Sequence, residues 1–168
     1  DVSAGNKGSM VTGLVTINNQ KYYFRQTDND ISTGKKGSMV TGLVTLSDYY
    51  KYFFRPAADD NGSEGSAYIN LWKQVSSKWY HFDETGRSNT GFFKNTDNNV
   101  YYFSTANNST RGEMLTGWQK INNVWYYFYP DSNGHLEGSM AIGFIDDNIE
   151  TYYLRTADND VSTGDKGS

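Results

Sequence analysis

The stretch GEMLTGWQKINNVWYYF at residues 112–128 contains a complete small structural unit. It begins with a glycine, continues into a short strand opened by Gly117 and Trp118, turns at Asn122 and Asn123, and ends in an aromatic strand. Paired asparagines tolerate the left-handed backbone of a tight hairpin turn, so the stretch predicts a β-hairpin. Other stretches repeat it in whole or in part, for example GSMVTGLVTINNQKYYF at 8–24. Ser47-Asp48 and Asn98-Asn99 are predicted to form the turns of two further hairpins in the same way.

The repetition extends over the whole chain, which we therefore interpret as a single repeat array at 1–168. The repeats start near Gly8, Gly37, Gly65, Gly86, Gly112, Gly138 and Gly167. Isolated hairpins are marginal in water, so the units must stack, and the predicted fold class is all-β. DVSAGNKGS at 1–9 closely matches DVSTGDKGS at 160–168, which indicates a piece of a longer array whose cut ends would associate end to end.

Side chains alternate across a strand, which assigns each hairpin two faces. We expect one face, uniformly apolar or aromatic, to be buried. Its members are Val15, Ile17, Tyr22, Phe24, Val44, Leu46, Tyr52, Phe54, Val75, Tyr80, Phe82, Phe93, Tyr101, Phe103, Ile121, Tyr126, Phe128, Ile145, Tyr152 and Leu154. The opposite face varies between repeats, from Lys21 and Lys51 to Trp125, and is expected to be exposed or to line a site. Four methionines, at 10, 39, 114 and 140, are expected to fill the gaps between neighbouring hairpins.

Composition excludes several function classes. The net charge is −4 and no basic run is present, so neither nucleic acid nor an anionic membrane surface is an expected partner. Apolar runs are far shorter than a spanning helix needs, and membrane insertion is not expected. Cysteine is absent, and the two histidines, His81 and His135, lie near no catalytic motif. We therefore expect that the protein is not an enzyme and that it binds no cofactor.

The pattern G-x-M-x-T-G-W, followed by a turn and W-Y-Y-F, resembles the cell-wall-binding repeat superfamily. This superfamily includes choline-binding repeats, glucan-binding repeats and the repetitive oligopeptides of large clostridial toxins, and the 43–72 segment is similar in layout to a long repeat of those toxins. The resemblance covers essentially the whole chain. It implies a β-solenoid, a superhelix of stacked β-hairpin repeats with binding sites in the grooves between successive repeats.

In choline-binding repeats, aromatic side chains form the walls of the ligand site. The resemblance implies two such sets of aromatic side chains in this chain. One set is Trp118, Trp125 and Tyr127 with Phe144, and the other is Trp72 and Trp79 with Phe92. In the first two repeats Leu14 and Leu43 replace the first tryptophan, while Lys21 and Lys51 place a positive charge where choline would sit. Those two repeats are not expected to hold choline.

Sugars need one or two flat rings and some polar side chains, a mixture that the variable face offers with Tyr23, Trp79, His81, Tyr102 and Gln119, among others. The lead hypothesis is a non-catalytic module, secreted or wall-associated in a Gram-positive organism, that holds polysaccharide and anchors an attached domain. The alternatives are choline-bearing wall polymer, a structural spacer or adhesin stalk, and host-glycan binding by a toxin. Polar loops such as TDNDISTG and AADDNGSEG match no calcium motif, and no metal is expected.

Overall fold

The computed structural model describes residues 9–146 and 149–157. Within them the regular secondary structure consists of twelve short β-strands, with no helix and hence none that could span a membrane. The strands are β1 Gly13–Ile17, β2 Gln20–Phe24, β3 Gly42–Thr45, β4 Lys51–Phe54, β5 Leu71–Val75, β6 Lys78–Phe82, β7 Gly91–Lys94, β8 Val100–Phe103, β9 Gly117–Ile121, β10 Val124–Phe128, β11 Gly143–Asp146 and β12 Thr151–Leu154.

Each consecutive pair of strands forms one antiparallel hairpin. In the fifth hairpin, Trp118 on β9 is paired with Tyr127 on β10, and Ile121 is paired with Val124 at the turn. The described part of the chain therefore contains six hairpins, which confirms the all-β repeat fold predicted from the sequence.

The hairpin turns follow the sequence in some repeats and depart from it in others. Asn18 and Asn19 have φ values of 48° and 62°, as predicted for a two-residue turn. Ser47 and Asp48, expected to form another such turn, do not, and the left-handed residue there is Tyr49 at 65°. The loop is longer and closes by hydrogen bonds from the N–H of Leu46 to the carbonyl of Tyr50 (3.1 Å) and from the N–H of Tyr49 to the carbonyl of Leu46 (3.0 Å). Ser76 and Ser77 form a two-residue turn that the sequence did not signal.

The chain divides into two compact units, unit 1 at Asp1–Asn89 and unit 2 at Thr90–Ser168. Unit 1 contains the first three hairpins and unit 2 the last three. One uninterrupted array over 1–168 stays a prediction. The repeat starts at Gly8 and Gly167, and most of the two matching end segments, lie outside the described residues.

Backbone hydrogen bonds join the linkers to the hairpins before them. The N–H of Val40 donates to the carbonyl of Tyr23 in the preceding hairpin (2.9 Å), and the N–H of Ala67 donates to Lys21, two hairpins back (2.8 Å). In unit 2, Met140 donates in the same way to Val100 (2.7 Å). Within each unit, successive hairpins are thus stacked through their main chains.

Methionine side chains also pack against the next repeat, at its first glycine. The repeat-start glycines Gly37, Gly65 and Gly138 have φ between 77° and 79°. A Cβ on any of them would overlap the sulfur of a methionine one repeat earlier, Met10, Met39 and Met114 respectively. Glycine is therefore needed here both for its backbone conformation and for the close approach of its neighbour. This confirms the predicted gap-filling role for these three methionines.

The predicted inner face forms the core. Phe54, Phe82, Phe103 and Phe128 are fully buried, and Tyr52, Tyr80, Tyr101, Tyr126, Ile145 and Leu154 nearly so. The remaining predicted members are less buried, since Ile17 is 39% exposed. The half-buried ones are Val15, Tyr22, Phe24, Val44, Val75, Phe93 and Tyr152.

Two buried arginines organise the long polar loops of unit 1. Arg55, at the end of β4, donates from Nη1 to the carbonyl of Ala67 (2.8 Å) and from Nε to the carboxylate of Asp59 (2.7 Å). This hydrogen bond from Arg55 is the main cause of a lowered pKa at Asp59. Arg25 holds the loop after β2 through Ser32 and Met39 in the same manner. The described acidic side chains form no cluster of three or more metal-ligating groups.

Candidate functional site

The fifth hairpin carries a group of aromatic rings on its variable face. The register of β9 and β10 sets Trp118 opposite Tyr127, with ring centroids 5.1 Å apart and planes inclined by 63°. The ring of Trp125 stands perpendicular to Trp118 at 6.4 Å and is 52% exposed. Three of the predicted wall residues are therefore brought together within one hairpin.

A further ring comes from the sixth hairpin. Tyr152 on β12 lies 4.8 Å from Trp118 at an angle of 67°. Alternation along the strand had assigned Tyr152 to the buried face, so its place against Trp118 was not predicted. We call Trp118, Trp125, Tyr127 and Tyr152 the fifth-hairpin corner.

Phe144, the fourth wall residue implied by the resemblance, packs against Tyr153 of its own hairpin, with centroids 4.9 Å apart. It is 79% exposed. The reason is local: Phe144 occupies in β11 the position that Trp118 occupies in β9, and its cross-strand partner is Tyr153. A role for Phe144 in ligand binding stays a prediction.

The third hairpin repeats the arrangement with one substitution. Trp72 lies 6.4 Å from Trp79 at 82° and 5.1 Å from His81 at 65°, almost the geometry of the fifth hairpin. His81 is buried, and its Nδ1 lies 3.1 Å from Oδ1 of Asn89. Burial lowers the pKa of His81 below its usual value, so the ring is neutral at neutral pH. We call Trp72, Trp79 and His81 the third-hairpin corner.

Phe92, predicted to complete the third-hairpin corner, belongs to unit 2. There it contacts Tyr102 across its own hairpin (4.8 Å) and Tyr126 of the next hairpin (5.2 Å). These contacts reproduce those of Trp118 with Tyr127 and Tyr152. Val100 stands where the exposed Trp125 stands in the fifth hairpin, so the fourth hairpin lacks that wall. The proposed joining of Phe92 to the third-hairpin corner stays a prediction.

In the first two hairpins, Lys21 and Lys51 occupy the position that corresponds to Trp125, and both ammonium groups make contacts within unit 1. The Nζ of Lys51 lies 3.3 Å from the hydroxyl of Tyr80 and 5.0 Å from the centre of that ring. Tyr80 corresponds to Tyr152, so the ammonium of Lys51 contacts the ring at the position that Tyr152 has in the sixth hairpin. The Nζ of Lys21 donates to the carbonyl of Thr85 (2.7 Å).

The variable face is therefore less exposed than the sequence predicted. Tyr23, Lys51, Phe53 and His81 are buried, because the variable face of a hairpin is partly covered by the residues that follow it in the stack. Trp125 and Phe144 keep the exposure expected of them.

Comparison with known proteins was made on sequence and on structure. Residues 12–27, 72–88 and 116–136 match the family model described as "Putative cell wall binding repeat". The second and third of these segments contain the tryptophans of the two corners. No curated protein sequence matches the chain.

Two solved structures from Streptococcus pneumoniae share the fold. CbpJ from strain TIGR4 is 27% identical with a TM-score of 0.65, and choline binding protein F is 26% identical with a TM-score of 0.62. Each match covers 86% of this chain and 43% of the other, so the chain spans less than half the length of either protein. These matches confirm the resemblance to cell-wall-binding repeats.

Proposed function

Because this chain carries cell-wall-binding repeats, we propose that it is a non-catalytic module that binds a cell-wall polymer outside the cell and anchors whatever is attached to it. The observation that carries the proposal is the fifth-hairpin corner, where the half-exposed Trp125 stands perpendicular to Trp118 and Tyr152 of the next hairpin packs on Trp118 at 67°. The third-hairpin corner, with its two tryptophans in the same arrangement, is the second candidate site.

The geometry of the corner suits a quaternary ammonium. Ring faces attract a cation by about 0.5–2 kcal/mol each, so a useful affinity needs several faces around one point. Trp125 and Tyr152 both stand steeply inclined to Trp118, at 90° and 67°, and so present faces in different directions. A trimethylammonium group is round and can contact ring faces that point in different directions. Choline on a wall polymer is therefore the first candidate ligand.

Carbohydrate is the second candidate at the same place. The indole of Trp125 is 52% exposed, as a platform for stacking a sugar ring would be. The Nζ of Lys120 lies 5.8 Å from the centre of that indole and can donate to a hydroxyl group. A polysaccharide can bind in this way without entering the corner.

All four tryptophans of the chain lie in the two corners, which makes the proposal directly measurable. Choline added to ¹⁵N-labelled protein should shift the indole N–H signals of Trp118 and Trp125 together, and those of Trp72 and Trp79 together. Trp125→Ala should abolish the response of Trp118, because it removes one wall and leaves the packed ring in place. Ile149→Ala, which removes an exposed apolar side chain from the turn of the sixth hairpin, is the matched control and should leave that response unchanged.

Other results of these titrations would support the alternative ligands or functions. Shifts confined to Trp125 with a soluble glucan or wall polysaccharide, and none with choline, would support sugar stacking. Binding only to host-type glycans would support the toxin-type alternative. Four indole signals that respond to none of these compounds in the folded protein would overturn the proposal and leave the spacer or stalk function.

A further inference from the structure

Unit 2 contains a groove that is separate from the aromatic corners. Its volume is about 320 Å³, and it lies between the turn of the fourth hairpin, the loop that follows β10, and the linker to the sixth hairpin. Asn98 and Asn99 line it on the first side, Tyr129 and His135 on the second, and Met140 and Ile142 on the third. None of the corner residues lines this groove.

Two asparagines of the fourth-hairpin turn line the groove. Asn98 has φ of 66°, and this left-handed conformation explains an asparagine there. Asn99 has no positive φ, and its backbone N–H, not its side chain, bonds to Asn95 (2.9 Å). Within residues 9–146 and 149–157 neither side-chain amide of the pair has a hydrogen-bond partner. Turn geometry therefore accounts for Asn98 but not for Asn99.

The opposite side of the groove is a fixed aromatic platform. The rings of Tyr129 and His135 are stacked, with centroids 3.7 Å apart and planes parallel to within 2°. Tyr127 supports Tyr129 edge-on at 6.0 Å. Bonds from the N–H of Tyr129 to Ser139 (3.0 Å) and from the N–H of Gly138 to Tyr129 (2.7 Å) close the loop that carries the platform.

Unit 1 contains a groove at the equivalent place. It measures about 430 Å³ and lies between the turn of the first hairpin, the loop that follows β4, and the linker to the third hairpin. Asn18 and Asn19 again supply a turn pair, and Ser66 and Ile69 correspond to Ser139 and Ile142. Arg55 takes the position of Tyr129, so this groove lacks the aromatic platform. The repeat therefore forms a groove at this place in both units, and only the groove in unit 2 has the aromatic platform.

We propose that the groove in unit 2 binds a neutral sugar residue, with its hydroxyl groups bonded to the amides of Asn98 and Asn99 and its apolar face on the His135–Tyr129 platform. No Asp, Glu, Lys or Arg lines the groove, so a neutral ligand can enter it without desolvating one of these charged side chains. Amide groups beside a flat ring and a few apolar side chains are the combination that a sugar needs, with one polar edge and one apolar face. Such a site would let one chain hold a polysaccharide and a cationic substituent at separate places.

The test is an NMR titration of the whole chain with tri-N-acetylglucosamine and, separately, with isomaltotriose. At least one probe should shift the side-chain amide signals of Asn98 and Asn99 and the ring signals of His135. His135→Ala should weaken that response about threefold to tenfold, the range expected for one stacked ring. Asn99→Ala should also weaken it, since its loss leaves the backbone bond to Asn95 intact.

Thr96→Ala, a change of an exposed residue in the same turn that does not line the groove, is the matched control and should not alter the response. Choline should leave the groove signals unmoved while shifting the tryptophans, so failure of this inference can be told apart from failure of the proposed function. The inference is wrong if neither sugar moves the groove signals, or if the shifts persist undiminished in both His135→Ala and Asn99→Ala.

Discussion

Substituting alanine for three glycines of unit 1 separates the two reasons why the repeat needs glycine. Gly42, Gly86 and Gly65 have nearly equal φ values of 84°, 83° and 77°. A Cβ on Gly42 would meet no atom within 4 Å, and one on Gly86 would touch Ala67 at an ordinary 3.5 Å. A Cβ on Gly65 would overlap the sulfur and two carbons of Met39.

The expected free energies follow from this geometry. A left-handed backbone costs a residue with a side chain about 1–2 kcal/mol, and all three variants share that cost. Only Gly65→Ala must also displace the side chain of Met39, and because the overlapped atoms are the far end of a flexible side chain, the extra cost is about 1 kcal/mol, the low end of the range for overpacking. Gly42→Ala and Gly86→Ala should therefore lose about 1–2 kcal/mol, and Gly65→Ala about 2–3 kcal/mol.

Urea unfolding, followed by far-ultraviolet circular dichroism at constant m value, measures these losses. A double variant with Met39→Ala added should show a favourable coupling of about 1 kcal/mol with Gly65→Ala, because the overlap is gone, and no coupling with Gly42→Ala. Equal losses at Gly42 and Gly65, or an absent coupling, would refute the claim that methionine packing fixes the spacing of the hairpins.

Two further predictions concern the sites. His81 has a lower pKa in the folded protein than in the unfolded chain, so the stability it contributes is complete above about pH 6.5 and is lost as the pH falls through the folded value. Replacing it by tyrosine, the residue at the corresponding position 127, should reduce the drop in the urea midpoint between about pH 7.5 and about pH 5, and an unchanged drop would contradict this. Leu43→Trp combined with Lys51→Trp should add one choline site beside Tyr80, counted by isothermal titration, whereas Lys51→Met alone should add none; an unchanged stoichiometry in the folded double variant would show that the lysine does not occupy such a site.

The sequence predicts those parts of the fold that depend on local pattern. Alternation along a strand correctly assigned Phe54, Phe82, Phe103 and Phe128 to the core, because the two faces of a strand are a property of the strand itself. The paired asparagines at 18–19 and 122–123 indicated turns for an equally local reason.

The sequence does not predict features that depend on how one hairpin sits on the next. Tyr152 was assigned to the inner face, and the stacking of the sixth hairpin on the fifth brings that ring against Trp118. Burial of Lys51 has the same origin. The arginine-centred loops had a usable signal, since an arginine follows the aromatic strand at Phe24-Arg25 and again at Phe54-Arg55.

The hydrogen bonds from a linker to the second hairpin before it, as at Ala67 and Met140, have a consequence for how such arrays evolve. The donors and acceptors, such as the N–H of Ala67 and the carbonyl of Lys21, belong to the main chain, which every repeat supplies whatever its side chains. A duplication that inserts one hairpin therefore supplies equivalent partners at once, and two hairpins with the linker that follows them are the smallest piece in which such a bond can form. Side chains on the variable face do not enter these bonds. Each copy is consequently free to gain a tryptophan, lose it, or fill the place with a lysine without disturbing the stacking bonds of its neighbours.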